Sequence, residues 1–370
     1  METLLAFAHY FASFVVVISI IVFIHEYGHY IVAKWCGVKI EAFSIGFGRE
    51  LFGWHDRSGT RWKICALPFG GYVKMYGDAS AASTADKDAM DEMSEAEKSL
   101  TFHHKSLPRK AAIVSAGPIA NFLLTIALLT YVIMTVGLPS TEPVVGQILP
   151  DSPAAESTLQ AGDRVVSVDG EAMHRFNDIV MALSTNLGEP VELLVERGNE
   201  QHKLTITPRM IEDEDGLGNK ITRPIIGIGS TKITIETVGF ATAVVEATKR
   251  TYGICVTTLR AVGQIVRGER SISDLKSPLG IAKLSGQATE RGMNMTIWLM
   301  AMLSANLGLI NLFPIPVLDG GHLVYYMVEA LRGRALAEHV QEWGYRAGFA
   351  LIMGLMAVTL YHDVVNIFFS

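Results

Sequence analysis

Two histidines and a glutamate interrupt the apolar run at residues 22–32, VFIHEYGHYIV. His25, Glu26 and His29 stand in the order His-Glu-x-x-His. On a helix, positions i and i+4 share a face about 5–6 Å apart, so both imidazoles can reach one divalent ion. Glu26 falls on a neighbouring part of the same site, placed to take a proton from water activated there. The plain alternative is three polar residues paired inside a bundle. It loses ground because ionisable groups inside an apolar span are costly and mark function by default. A bound metal would satisfy both imidazoles.

A catalytic zinc takes three protein ligands and keeps a fourth position open. Asp319, in the stretch 311–322, NLFPIPVLDGGH, is the first candidate for the third ligand, and His322 is the second. Pro314 and Pro316 preclude regular helix there, so the backbone opens and can present side chains to a site. The competing reading of Asp319 is a turn or cap residue at an Asp-Gly-Gly corner.

These groups must be positioned by helices that prefer lipid to water. The chain has 370 residues, 49% hydrophobic and 18% charged, with mean hydropathy +0.30. That balance predicts a membrane protein with a soluble portion. Net charge is −6, without a long basic block, which argues against nucleic-acid binding. Cys36, Cys65 and Cys255 are too far apart for a CxxC metal motif or a disulfide framework. The N-terminal METLLAFAHYF lacks the positive start and small-residue cleavage site of a signal peptide, so it is expected to stay as a transmembrane helix.

Spans of about 20 apolar residues divide the sequence. The expected parts are a first transmembrane helix over 1–35, a cytoplasmic or re-entrant β-like loop over 36–110, and a second span over 111–138. A β-rich domain follows over 143–230, then an amphipathic helical region over 231–292. A third span carries the proline motif over 293–322, and a fourth covers 348–369. Lys34, Lys39, Lys105, Arg109, Lys110, Arg332, Arg334 and Arg346 cluster at the ends of two loops. The positive-inside rule then places those loops in the cytoplasm, both termini outside, and 139–292 on the outer side. His25, His29 and Asp319 thus share one depth, near the inner face. Residues 79–100 are small, polar and acidic, and read as flexible. His9 reads as structural, His55, His103 and His104 as solvated, and His362–Asp363 receive no role.

The quoted motifs resemble the site-2 protease family of intramembrane zinc metalloproteases. HEYGH matches its His-Glu-x-x-His, NLFPIPVLDGG its Asn-x-x-Pro-x-Pro-x-Leu-Asp-Gly signature, and GPIAN (117–121) a third, weaker element. More narrowly the chain looks like the bacterial branch that cleaves anti-sigma factors, with one PDZ domain where some members have two. AGDRVVSVDG (161–170) is similar to PDZ domains of bacterial proteases, whose groove receives extended peptide.

The resemblance implies a fold and a set of roles. The fold is a four-helix transmembrane core with a membrane-associated β-like loop and an inserted extracytoplasmic PDZ-like α+β domain. His25, His29 and Asp319 would hold Zn²⁺, and Glu26 would be the general base. Asn311 would hold substrate or the oxyanion, Asn121 would be a polar contact between core helices, and Pro314 and Pro316 would shape the site. Gly46, Phe47 and Gly48 would belong to a re-entrant β element whose edge strand pairs with an unwound substrate. Unwinding has its own physical basis, because freed peptide groups need partners where water is scarce. The implied partners are a single-span, anti-sigma-factor-like substrate, already trimmed outside, and the lipid bilayer of the bacterial inner membrane. A catalytically inactive PDZ-bearing scaffold is the alternative, and the intact Glu26 speaks against it. A zinc transporter would want ligands across the full bilayer depth.

Overall fold

Apolar residues run without proline to Trp35, and they form one helix, α1 (Glu2–Trp35). The structure is a computed structural model describing residues 2–78, 90–140, 142–184, 188–214, 220–230, 234–268, 275–334 and 336–368. Lys34 sits in the last turn of α1, where a cation suits the helix dipole. Gly37 then takes φ +74°, with Val38 N–H on the Ala33 carbonyl (2.9 Å) and Gly37 N–H on that of Lys34 (3.0 Å). That is a Schellman stop, which favours glycine at the left-handed position.

Strands β1 (Ile40–His55) and β2 (Arg61–Met75) follow, paired over most of their length. Residues 42–45 lie between two parts of β2, pairing with 61–64 and with 71–74. Phe43, Val73 and Met75 pack with Tyr30, Phe102 and Ile113 into a buried cluster. The far part exposes Leu51, Phe52, Trp54 and Leu67, a surface fit for lipid rather than water.

Asp56 pins the turn of this hairpin to α1. Its carboxylate accepts from Tyr30 O–H (2.8 Å), Trp62 Nε1–H (3.1 Å), Ser58 N–H and O–H (2.8 and 2.7 Å) and Thr60 N–H (3.0 Å). Burial pushes its pKa up, but the donors from Ser58, Trp62, Tyr30 and Thr60 outweigh that and hold it below the usual carboxylate range. The stability it lends is therefore complete above about pH 4 and fades as pH falls through the lower folded value. Asp56→Ala strands two buried-side donors and is expected to cost about 2–3 kcal/mol. Faster backbone hydrogen exchange over 50–63 would show it; exchange equal to wild type would refute it.

Residues 79–89, part of the stretch expected to be flexible, lie outside the described residues. The remainder carries a short helix, α2 (Glu95–Lys98), closed by a Ser94–Glu97 capping box. Helix α3 (Leu107–Val136) is the second long apolar helix, with Pro118 inside it.

The chain divides into two units, 1–132 with 240–370, and 133–239. The second unit begins with β3 (Leu138–Ser140) and β4 (Val145–Ile148), then α4 (Pro153–Glu156). After these come β5 (Arg164–Val168), β6 (Glu171–Ala172), α5 (Phe176–Ser184), β7 (Val191–Arg197) and β8 (Glu200–Ile206). The last elements are β9 (Arg209–Glu214), β10 (Lys220–Ile225), β11 (Ile228–Ser230) and β12 (Thr234–Glu236). A four-stranded sheet in the order β6-β5-β7-β8 carries a core of Val145, Val165, Ile179, Leu193, Val195 and Ile226. Asp163 accepts from the Arg197 guanidinium at 2.7 Å, which holds its carboxyl below the usual range. The unit is wider than the expected 143–230, because β3 pairs with β12 and closes it beyond both ends.

The chain then returns to the first unit with α6 (Phe240–Val266), α7 (Pro278–Glu290), α8 (Met293–Asn311), α9 (Asp319–Arg332) and α10 (Glu338–Phe368). Among the described residues, four helical segments are long and apolar enough to cross a membrane: Phe7–Trp35, Leu107–Val136, Met293–Asn311 and His339–Val365. The stretch 293–322, expected as one span, is corrected by the structure. The third long helix stops at Asn311, the prolines break the path, and Asp319 opens a separate amphipathic helix. His9, read as structural, makes a contact between helices, and Asp363, given no role from sequence, gains a structural one. Thr289 of α7 bonds both Ser13 and His9 of α1 (3.0 Å each), and Asp363 accepts the Ser277 N–H (2.7 Å) that begins α7.

Candidate metal centre

His25 and His29, one turn apart on α1, meet Asp319 at the first residue of α9. The facing atoms form a near-equilateral triangle: His25 Nε2 to His29 Nε2 3.3 Å, His25 Nε2 to Asp319 Oδ2 3.3 Å, and His29 Nε2 to Asp319 Oδ2 3.5 Å. Ligand atoms about 2.0–2.1 Å from a tetrahedral ion stand about 3.3–3.4 Å apart. The triangle is therefore one face of such a tetrahedron. Asp319 Oδ2 is buried and has no hydrogen-bond partner, and a buried carboxylate oxygen left so is costly unless an ion takes it. The donor set of two imidazoles and a carboxylate suits zinc. These three residues form the one such group among the described residues, and His322, the alternative ligand, is not part of it.

The outer contacts fix how the rings face. His29 Nδ1 is 2.9 Å from the Ile113 carbonyl, which only accepts, so the ring carries its proton there and turns a bare Nε2 to the site. His25 Nδ1 lies 3.1 Å from Asn121 Nδ2. Asn121, expected as a contact between core helices, thus touches a candidate metal ligand directly. Gly117 of α3 backs onto both rings: a methyl group there would overlap His29 Nε2 and stand 2.8 Å from His25 Cε1. Helices α1 and α3 meet nearly backbone to backbone, since a methyl at Gly28 would overlap the Ala116 carbonyl oxygen.

Asp319 is delivered by a bent corner. Val317 sits at φ +101°, an outlier for a β-branched residue that costs on the order of 1–3 kcal/mol. Side chains at Gly320 and Gly321 would collide with the carbonyl oxygens of Leu312 and Ile315, so the Asp-Gly-Gly sequence lets α9 begin against the corner. Gly348 of α10 packs against the Pro316 carbonyl and Val317.

The triangle opens on a cavity of about 330 Å³. Glu26, Asn311, Gly70, Gly71, Tyr72 and Val73 are among its walls, with His322 and Tyr326 from the face of α9 that also carries Asp319. Glu26 is outside the triangle, and β2 passes close above it: a methyl at Gly71 would stand 2.9 Å from Glu26 Cγ. Asn311 Nδ2 is 3.4 Å from His25 Nε2. Pro314 and Pro316 shape the corner without lining the cavity. Gly46, Phe47 and Gly48 do not line it either. They sit at the bend of β1, with the Phe47 ring beneath Gly70 and stacked on Tyr72 at 5.9 Å. The strand segment facing the site is 70–73.

Fold and site together define a membrane protein with a metalloprotease centre. The chain belongs to peptidase family M50, whose model matches residues 13–355. A protein of Agrobacterium fabrum named "Putative zinc metalloprotease Atu1380" is 41% identical over 363 residues, 96% of this chain and 95% of that one. Metalloprotease MmpA of Caulobacter vibrioides is 34% identical over 375 residues, 95% and 94% of the two chains. Among solved structures, the PDZ domain of an SdrC-like protein from Listeria monocytogenes matches at 25% identity. That match covers 24% of this chain and 87% of that one, with a TM-score of 0.20.

Proposed function

We propose that this chain is an intramembrane zinc endopeptidase. Its substrate is a transmembrane segment of a single-span protein, a regulator of the anti-sigma-factor kind, already trimmed on its outer side. The observation that carries the reading is the triangle of His25, His29 and Asp319 at tetrahedral spacing, set among membrane-length helices with Glu26 beside it. Zinc held there supplies a Lewis acid that polarises a carbonyl and acidifies water.

The chain's own residues do the rest. Glu26 takes the proton of the attacking water and passes it to the leaving amine. The Asn311 amide, on the cavity wall beside His25 Nε2, donates to the substrate carbonyl as charge grows on its oxygen. Segment 70–73 offers backbone groups to a peptide that has lost its own helical hydrogen bonds. Both termini and the PDZ-like unit lie outside the inner membrane, where that unit filters bulky substrates; the metal centre lies near the cytoplasmic face.

Removal of metal tests the reading. Protein stripped with a chelator is expected to cleave a model single-span substrate at least about 100-fold more slowly and to recover when zinc is returned. Full cleavage by stripped protein would sink the proposal.

A further inference from the structure

Asn121 is fully buried on α3, and its two amide atoms are unequally served. Nδ2 lies 3.1 Å from His25 Nδ1, whereas Oδ1 is buried without a partner. The residue has little freedom to drift. Its backbone carbonyl accepts from Ser304 O–H of α8 (2.9 Å) and from Thr125 O–H (2.9 Å). Gly308 lets α8 come so close that a methyl there would stand 3.2 Å from Asn121 Cβ. The side chain is left one simple motion, a half-turn of its amide.

An imidazole that gives Nε2 to a metal keeps its proton on Nδ1. His25 turns Nε2 toward Asp319 and His29. Its Nδ1–H then needs an acceptor, and an NH₂ group cannot accept. The orphaned oxygen on the same amide can accept it once a half-turn brings it to the place of Nδ2.

We infer that Asn121 is a positioning residue for the metal: with the ion bound, its amide is turned so that Oδ1 accepts the His25 Nδ1–H and fixes that ring as a ligand. The two rings are then held alike, His29 by the Ile113 carbonyl and His25 by the Asn121 carbonyl oxygen. The half-turn gives Oδ1 the His25 Nδ1–H as its donor and moves the NH₂ group to where the orphaned oxygen stood. This inference rests on the ligand assignment in the proposed function and not on proteolysis.

The test reads zinc affinity, by competition with a chromogenic chelator, on full-length protein in detergent. Asn121→Leu keeps the volume but removes the acceptor, and is expected to weaken zinc binding about 10–100-fold. Asn121→Asp keeps an acceptor and drops the NH₂, and is expected to bind at least as tightly as wild type. Either variant decides alone if the other does not fold, with folding followed by circular dichroism. Wild-type affinity in folded Asn121→Leu, or a loss of more than tenfold in folded Asn121→Asp, would overturn the inference. His25→Ala is the control for the ligand assignment itself: zinc retained at wild-type affinity there would overturn the metal reading. Cleavage that survives without zinc would count against the protease reading and leave the amide result standing.

Discussion

Glu26→Gln is expected to lower cleavage of a single-span substrate by about 10²–10⁴-fold, the usual worth of a positioned general base, while zinc content stays at the wild-type level. Glutamine has the same shape, so it can keep its place under Gly71, where a methyl would stand 2.9 Å from Glu26 Cγ. It cannot take up a proton. Glu26 is also outside the triangle that would hold the ion, so metal and catalysis should separate in this variant. Asp319→Asn is the useful contrast, since it should lose both. The measurements are kcat with purified components and metal analysis of the same samples. Equal rates for Glu26→Gln and wild type would remove the proposed base.

Gly117→Ala should be nearly as damaging, although it adds one methyl group to a helix and alanine is the better helix former. That methyl would occupy the place of His29 Nε2 and stand 2.8 Å from His25 Cε1. Separating the helices to admit it would give up the close packing of α1 on α3 at Gly28 and Ala116. A shift of a few tenths of an ångström in either ring spoils the triangle. Zinc affinity is expected to fall at least about 100-fold, roughly 3 kcal/mol, and cleavage with it. Gly253→Ala, on α6 with open space around it, is the matched control and should change neither. Wild-type zinc affinity in Gly117→Ala would show that the close approach does not matter.

These two residues also mark the boundary of what sequence could tell. His25, Glu26 and His29 were legible because their geometry is local: four residues of helix set the spacing. Asp319 was legible through the prolines around it and through the depth shared by the ends of two spans. Gly117 and Asn121 were visible only as part of GPIAN. What they touch depends on how α3 rests on α1, and no periodicity within α3 encodes that. Helix α9 was missed because Asp-Gly-Gly reads as a corner and its N-cap, Leu318, makes no side-chain cap. Strands β3 and β12, three residues each, are too short to carry alternation, so the inserted unit looked narrower than it is. Segment 70–73 was not assigned to the site, because Gly70–Gly71 read as a turn and the resemblance put the substrate edge at 46–48. Only the folded pairing shows which part of the hairpin turns toward Glu26.

The corner at Val317 has a consequence for the lifetime of the protein. A β-branched residue at φ +101° is strained, and a relaxation there would shift Asp319, two residues on, relative to the imidazoles. An ion held by His25, His29 and Asp319 would bridge α1 and α9, resist that shift and stabilise the native form in proportion to the logarithm of its free concentration once that exceeds the dissociation constant. Thermal resistance should therefore climb with metal supply, and newly made chains in a zinc-starved cell should be the first removed by quality control.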